Sequence, residues 1–241
     1  MKKKIFVISI LSFLGLLIFL NFSYLTAGKA IPTGIAEHYI NYGVEQTGSL
    51  NLVTAILFDY RAFDSLGEST VIFAAVSGVV LILSRKTLPV SSRGLTFIVK
   101  RTFGFITPFI FLFSLYLMTH GHLSPGGGFQ GGVILAAISI IFCIVYGSAF
   151  DQQRFTTEMK TKMETGGALI FVFMGIMGIV FETAFLDNLN FLNGEIGSLL
   201  SAGSIPIINV GVGFKVGAGL AIVFYSMIQK TLEEGLENSD I

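Results

Sequence analysis

The segment from Gly121 to Gly132 constrains the fold of this chain most, because it holds six glycines and a proline within twelve residues. It separates two long apolar runs. A backbone this poor in side chains does not form a stable isolated helix, so its N–H and C=O groups need partners elsewhere. At membrane depth, irregular backbone persists only where protein or a water-filled cavity covers it. The segment is therefore predicted to be a structural loop packed inside a larger membrane assembly, shaped mainly by Ser124, Pro125, Gly126, Gly127, Gly128 and Gln130.

The composition indicates a membrane protein. Hydrophobic residues make up 53% of the chain and charged residues only 12%, about half the share of a soluble protein. The mean hydropathy is +0.79. The single cysteine, Cys143, excludes an internal disulfide framework and a thiolate metal site, and we expect it to be a small buried hydrophobe. A net charge of zero gives no support for a nucleic-acid partner.

Apolar runs long enough to cross a bilayer predict an all-α, polytopic membrane helix bundle with about six transmembrane helices. The expected spans are Ile5–Phe22, Leu66–Leu83, Phe103–Thr119, Gly132–Phe150, Gly166–Thr183 and Ile207–Ile228.

The cations between these spans predict the orientation. Twelve of them fall on one side, whereas only Lys29 and Arg61 fall on the other and Lys215 lies within a span. Such a bias places the cation-rich side in the cytoplasm, together with both termini, in a multi-pass protein of the cell membrane. The twelve are Lys2, Lys3, Lys4, Arg85, Lys86, Arg93, Lys100, Arg101, Arg154, Lys160, Lys162 and Lys230.

The first span has a second interpretation, a signal peptide whose basic region is Lys2–Lys4. Its apolar stretch is longer than the usual ~7–15 residues of such a segment. Removal of the segment would also break the alternation of charge between the loops. Both arguments favour a span that is retained.

The chain is predicted to contain two units. Residues 1–90 form a two-span unit and residues 95–241 a four-span unit, with a basic, proline-containing linker at 85–93 between them. The second unit has one expected cytoplasmic loop, Asp151–Met163, and one external loop, Ala184–Pro206.

Three stretches resemble one protein family. Met118–Gly132 looks like the signature of the B subunit (MnhB-like) of Mrp-type multisubunit cation/proton antiporters, which similar subunits of membrane-bound hydrogenases and their respiratory relatives also carry. Ser198–Gly219 fits the same subunit. Thr47–Glu68 resembles the C-terminal part of the antiporter A subunit, which is a separate small subunit in hydrogenase-type complexes. The chain therefore resembles a fusion of the two.

The resemblance implies a role in ion transport. Its expected partners are the other Mrp-type subunits, Na⁺ and H⁺, the lipid bilayer and, if the parent complex is respiratory, a hydrogenase-like or other redox arm. It implies no cofactor and no catalytic residue in this chain. The alternative is a structural or assembly subunit of the same complex that never contacts the ion.

Arg61, Asp64 and Glu68 form an acidic helix face, because they are spaced i, i+3 and i+7. A helix cap with a surface ion pair explains the pattern, since carboxylates are favoured at a helix N-terminus. The same carboxylates also suit an entry route for a cation or a proton. Asp59, which precedes them, is expected to be a turn residue.

Lys215 is a lone cation inside the last span. A charge at that depth costs about 2.5–3.5 kcal/mol on insertion scales, so it normally faces protein or water and marks a pathway. Flanking glycines allow another helix to approach closely. Snorkelling to the interface is the alternative. The expected carboxylate partners are Glu182, Glu68 and Glu195.

The histidines do not predict a metal site. His120 and His122 are spaced i, i+2 and do not share a helical face, and no third ligand has a suitable spacing. His122 is expected to order the glycine loop by hydrogen bonding or to relay protons, which its near-neutral pKa allows. No nucleophile elbow, phosphate loop or zinc-binding motif is present. The absence of an internal repeat argues against a self-contained transporter.

Overall fold

The computed structural model describes residues 34–83, 94–182 and 184–237, with a few positions between 12 and 20. Within these residues all regular structure is helical, which confirms the all-α prediction. A π-helical turn spans Ile56–Tyr60, and a short 3₁₀ helix spans Asn190–Leu192. The α-helices are α1 (Ile35–Thr47), α2 (Leu52–Ala55), α3 (Ala62–Leu83), α4 (Phe97–Thr119), α5 (Gly128–Val145), α6 (Ser148–Arg154), α7 (Thr157–Phe181) and α8 (Ile205–Glu237).

Among the described residues, five helices are long and apolar enough to cross a membrane: α3, α4, α5, α7 and the part of α8 from Ile205 to Ile228. The polytopic bundle is thereby confirmed, and the protein is a multi-pass membrane protein. Most of the expected first span, Ile5–Phe22, lies outside the described residues.

Several helices begin earlier than predicted. α7 starts at Thr157 rather than Gly166, because the hydroxyl of Thr156 caps it by accepting a hydrogen bond from the N–H of Met159. α5 starts at Gly128, so the second half of the glycine segment is helical, contrary to the expectation of a loop. The length of an apolar run indicates how much of a helix faces lipid. Caps and tertiary contacts determine where the helix begins.

The predicted cytoplasmic loop Asp151–Met163 is mostly helical. α6 and the first turns of α7 occupy it, separated by a short break at Phe155–Thr156. Lys160, one of the twelve cations expected on the cytoplasmic side, is fully buried.

α8 is the central helix of the bundle and packs against α3, α4, α5 and α7. Its contact with α5 is made by glycines on both sides. A Cβ atom on Gly132 would lie 2.7 Å from the carbonyl oxygen of Gly213, and one on Gly217 would lie 3.0 Å from that of Gly132. Small residues spaced by four on each helix let the two backbones approach this closely.

The chain separates into two compact units, residues 1–40 and 41–241. The predicted linker, residues 85–93, lies outside the described residues. The division into a 1–90 unit and a 95–241 unit therefore stays a prediction.

Candidate functional site

Lys215 lies near the middle of the apolar part of α8 and is 2% exposed. Its ammonium donates a hydrogen bond to the backbone carbonyl of Ser69 on α3 and lies 5.7 Å from the centre of the Phe73 ring. A lysine ammonium has three N–H donors, so one carbonyl acceptor and one aromatic face leave it undersatisfied.

Glu164 on α7 is the carboxylate that interacts electrostatically with Lys215. It is 5% exposed, and its Oε1 atom has no hydrogen-bond partner. A Cβ atom on Gly219 would lie 3.3 Å from this oxygen, so the carboxylate sits against α8 one turn from Lys215. The pair is not among the ion pairs of 4.0 Å or less that the described residues form.

Glycines bring α7 and α8 together around this pair. A Cβ atom on Gly167 would overlap the carbonyl oxygen of Gly211 and would lie 2.9 Å from the backbone nitrogen of Lys215. A pocket of about 200 Å³ lies between α3 and α7, and Lys215 lines it together with Ser69 and Phe73. The Ser69 hydroxyl is also buried without a hydrogen-bond partner. A charge and two unsatisfied oxygens therefore lie in the interior of the bundle.

A second buried charge pair lies near the start of α7. Lys160 forms an ion pair with Asp151, and both side chains are fully buried. The Ser139 hydroxyl donates to Asp151 at 2.7 Å, and the lysine lies over the ring of Tyr225 at 5.2 Å. Because Lys160 and Glu164 are spaced i, i+4, this pair is one helical turn from the carboxylate beside Lys215.

The glycine loop is held by hydrogen bonds from outside it. The Asn51 side-chain amide donates to the carbonyls of Gly121, at 2.8 Å, and Ser124, at 3.0 Å. The N–H of Gly128 donates to the side chain of Asn209 on α8 at 2.9 Å. Gly127 has φ +145°, in the region that favours glycine. Of the three remaining expected loop residues, Pro125 and Gln130 are exposed and Gly126 is half-buried.

His122 is fully buried within this loop. Its Nε2 atom lies 3.4 Å from the carbonyl oxygen of Ser198, and its own carbonyl accepts from the Ser49 hydroxyl at 3.0 Å. Burial lowers the pKa of His122, so the imidazole is neutral at physiological pH.

The acidic face of α3 lies apart from Lys215. Arg61 and Asp64 form an ion pair of 2.5 Å with both side chains largely exposed. Glu68 is exposed as well, and Glu182 caps the end of α7. The expectation that Glu68, Glu182 or Glu195 pairs with Lys215 is wrong, because Glu164 on the facing helix occupies that position.

Asp59 lies in the π-helical turn before α3. Burial raises its pKa to about 6, and the negative charge of Asp187 acts in the same direction. The expected turn residue is therefore a carboxyl group with a pKa of about 6. Such π-helical insertions occur often at functional sites.

Sequence reasoning missed Glu164, Asp151 and Lys160, because it assigned them to a loop or to its edge. A local signal was present, since Thr156 followed by Glu158 is a typical helix start. Starting α7 there would have placed Lys160 and Glu164 on one face of a spanning helix.

Two families match the chain. Residues 98–222 match the family described as a domain related to the MnhB subunit of Na⁺/H⁺ antiporters. Residues 2–95 match the MbhE family, which is described as one of the subunits of MBH.

Relatives and solved structures agree with these families. An uncharacterized protein of Methanocaldococcus jannaschii is 30% identical over 90% of each chain. A chain of the membrane-bound sulfane sulfur reductase, an archaeal respiratory membrane complex, is 29% identical, with a TM-score of 0.74 over 92% of this chain and 98% of that one. A chain of the Mrp complex of a Dietzia species shares the fold, with a TM-score of 0.73 and 23% identity over 94% of this chain and 26% of that one.

The fold and these matches define the class of protein as a multi-pass membrane subunit of the Mrp antiporter type. The chain belongs to the MnhB-related family, and its N-terminal part matches the MbhE family. The resemblance to a fusion of two Mrp-type pieces is thus confirmed.

Proposed function

We propose that this chain is a membrane subunit of an Mrp-type Na⁺/H⁺ antiporter module, and that Lys215 and Glu164 form part of its ion route. The observation that carries the proposal is a buried lysine at mid-membrane, beside a carboxylate oxygen with no hydrogen-bond partner. Buried polar atoms are nearly always satisfied, so an exception needs a reason. A water molecule or a cation that occupies this space during transport supplies one.

The opposite charges of Lys215 and Glu164 suit the pair to the exchange of a cation for a proton. A cation or a proton that binds Glu164 removes the negative charge that faces Lys215, and the lysine charge then opposes the entry of a second cation. The two ions would compete for one carboxylate, which is what antiport requires. Lys215 adjusts the affinity of the carboxylate without binding the ion itself.

The buried pair of Asp151 and Lys160 extends this site towards the end of the bundle where α7 begins. Asp151, Lys160, Glu164 and Lys215 form a series in which each charge neighbours one of opposite sign. Such a series lets a proton or a cation approach Glu164 without leaving an uncompensated charge in the apolar interior.

The proposed setting is a multisubunit complex in the cell membrane, with other Mrp-type subunits as partners and both termini in the cytoplasm. The MbhE match and the similarity to a respiratory membrane complex support a version with a redox arm. The cation bias of the loops supports the orientation. Cysteines introduced at Gln152 and Phe129 test it, because they should be labelled from opposite sides of the membrane.

Flux measurements test the role of Lys215. In membrane vesicles, Lys215→Met should abolish Na⁺-driven proton movement while the complex still assembles, and Lys215→Arg should retain part of it because the charge is kept. Glu164→Gln should also abolish exchange. Lys162→Met is a matched control, because Lys162 lies on the same helix as Glu164 but pairs with Glu158 at the surface. Repeating the assay with K⁺ identifies the cation.

Full flux with Lys215→Met would refute the assignment. The structural alternative predicts another pattern, because Lys215→Met would leave Glu164 as a buried carboxylate without its opposite charge. If the chain acts only in assembly, Lys215→Met should lower the yield of the complex and leave the flux per assembled complex unchanged.

A further inference from the structure

A second cavity of about 530 Å³ lies at the N-terminal end of α4, away from the charge pairs described above. Its lining suits an amphiphile, because two adjacent cations lie beside aromatic side chains and a glycine. The residues that line it are Phe97, Lys100, Arg101, Gly104, Phe105 and Tyr146.

The two cations lie where a helix disfavours them. Lys100 is in the first turn of α4 and Arg101 follows it, close to the positive end of the helix dipole. The first turn contains no acidic residue, and the N-cap residue Thr96 makes no side-chain capping hydrogen bond. Neither cation belongs to the ion pairs formed within the described residues. Two cations therefore line a pocket near the positive end of a helix, and their charges favour an anion.

The rest of the pocket is shaped for an apolar chain. The Tyr146 hydroxyl donates to the carbonyl of Lys100 at 2.5 Å and forms one wall. A Cβ atom on Gly104 would lie 2.9 Å from that hydroxyl, so the glycine lets the tyrosine approach the backbone of α4. Phe105, which is 73% exposed, lies about 7–8 Å further along the helix than Lys100 at ~1.5 Å per residue. Charge at the end of a spanning helix and apolar surface deeper in the bilayer match a lipid headgroup and its chain.

We propose that this pocket binds an anionic phospholipid, with its phosphate between Lys100 and Arg101 and one hydrocarbon chain along Gly104 and Phe105. The charge complementarity selects a lipid over an apolar helix of a partner subunit, which would leave both cations without an anion. Basic pockets at the membrane interface bind such headgroups. The proposal does not depend on the ion route.

The chain contains no tryptophan, which allows a direct test in the full-length protein. Phe105→Trp places a single reporter in the pocket, in nanodiscs that contain brominated phosphatidylglycerol or brominated phosphatidylcholine. Brominated phosphatidylglycerol should quench the reporter at a lower mole fraction than brominated phosphatidylcholine. The two mole fractions should differ by roughly five-fold for each basic residue. Replacing Lys100 and Arg101 with Gln should remove the preference, and salt should weaken it.

A matched reporter is available on α7. Phe173 lines an apolar cavity of about 430 Å³ together with Leu169, Ile170, Val172 and Ile176, and these side chains carry no charge. Phe173→Trp should respond equally to the two lipids.

Two outcomes would overturn the proposal directly: equal quenching of the Phe105→Trp reporter by both lipids, and an undiminished preference after both cations are removed. Loss of the preference when inorganic phosphate is added, but not when chloride is added at the same ionic strength, would instead show a site for the free anion and would also overturn it. Normal helicity by circular dichroism controls for misfolding.

Discussion

Replacement of Gly167 with alanine tests the helix contact on which the Lys215 site depends, and the neighbouring Gly166 provides the control. A Cβ atom on Gly167 would overlap the carbonyl of Gly211 and lie 3.0 Å from the Cβ atom of Lys215. A Cβ atom on Gly166, one residue earlier in the same helix, would meet nothing within 4 Å. The two substitutions change the chain identically and differ only in what they face.

The expected free energies follow from this geometry. Alanine is favoured over glycine within a helix by about 0.5–1 kcal/mol, so Gly166→Ala should stabilise the protein by that amount. Gly167→Ala gains the same term but adds overpacking, which typically costs about 1–3 kcal/mol. Its new methyl group meets backbone atoms that cannot rotate away, so the upper part of that range applies. The net loss should be about 1–2 kcal/mol.

Thermal unfolding in detergent, followed by fluorescence-detected size exclusion, measures the difference. At roughly 2–4 °C for each kcal/mol in a chain of this size, the two variants should differ by about 5–10 °C. Gly167→Ala should also lower cation flux, because it separates α7 from α8 beside Lys215. Equal melting temperatures for the two variants, or a Gly167 variant more stable than the Gly166 variant, would refute the packing argument.

Two further predictions concern buried charges. Because the folded-state pKa of Asp59 is raised from 3.8 to about 6, its contribution is most favourable below pH ~4 and is lost as the pH rises to about 6. Asp59→Asn should remove that decline in stability, which is worth about 2 kcal/mol after allowance for solvent screening. Melting temperatures measured across this pH window test the prediction. Asp151→Asn should cost about 3–5 kcal/mol, because it leaves Lys160 as an uncompensated buried charge. The double variant Asp151→Leu/Lys160→Met should cost less than the sum of the single changes in a double-mutant cycle, and additive losses would contradict the pairing.

The spans could be predicted from the sequence, whereas their ends could not. Hydropathy located the apolar parts of α3, α4, α5, α7 and α8. The early start of α7 depends on Thr156 as a cap, and the helical start of α5 at Gly128 depends on the side chain of Asn209 on a distant helix. An apolar window contains neither kind of information.

The position of Lys215 within a span was predicted, whereas its partner was not. Lys215 could be identified because a charge within an apolar run is improbable without a role. The acidic face of Asp64 and Glu68 was correctly grouped by its spacing, yet it is exposed and separate from the lysine. Its position at the start of a span gave no information about which helix faces Lys215.

The sequence by itself determined the class of structure and the membrane location, because hydropathy and helical spacing are local properties of a chain. Only the tertiary structure decided that Glu164 is the partner of Lys215 and that Lys160 is buried on Asp151. The first pairing depends on how closely α7 approaches α8, where Gly167 contacts Gly211. The second depends on α6, which carries Asp151 and packs beside the first turns of α7. The contact between α7 and α8 joins residues that are far apart in the chain. Such contacts determine which helix faces each charge across the bundle, and local sequence patterns do not contain that information.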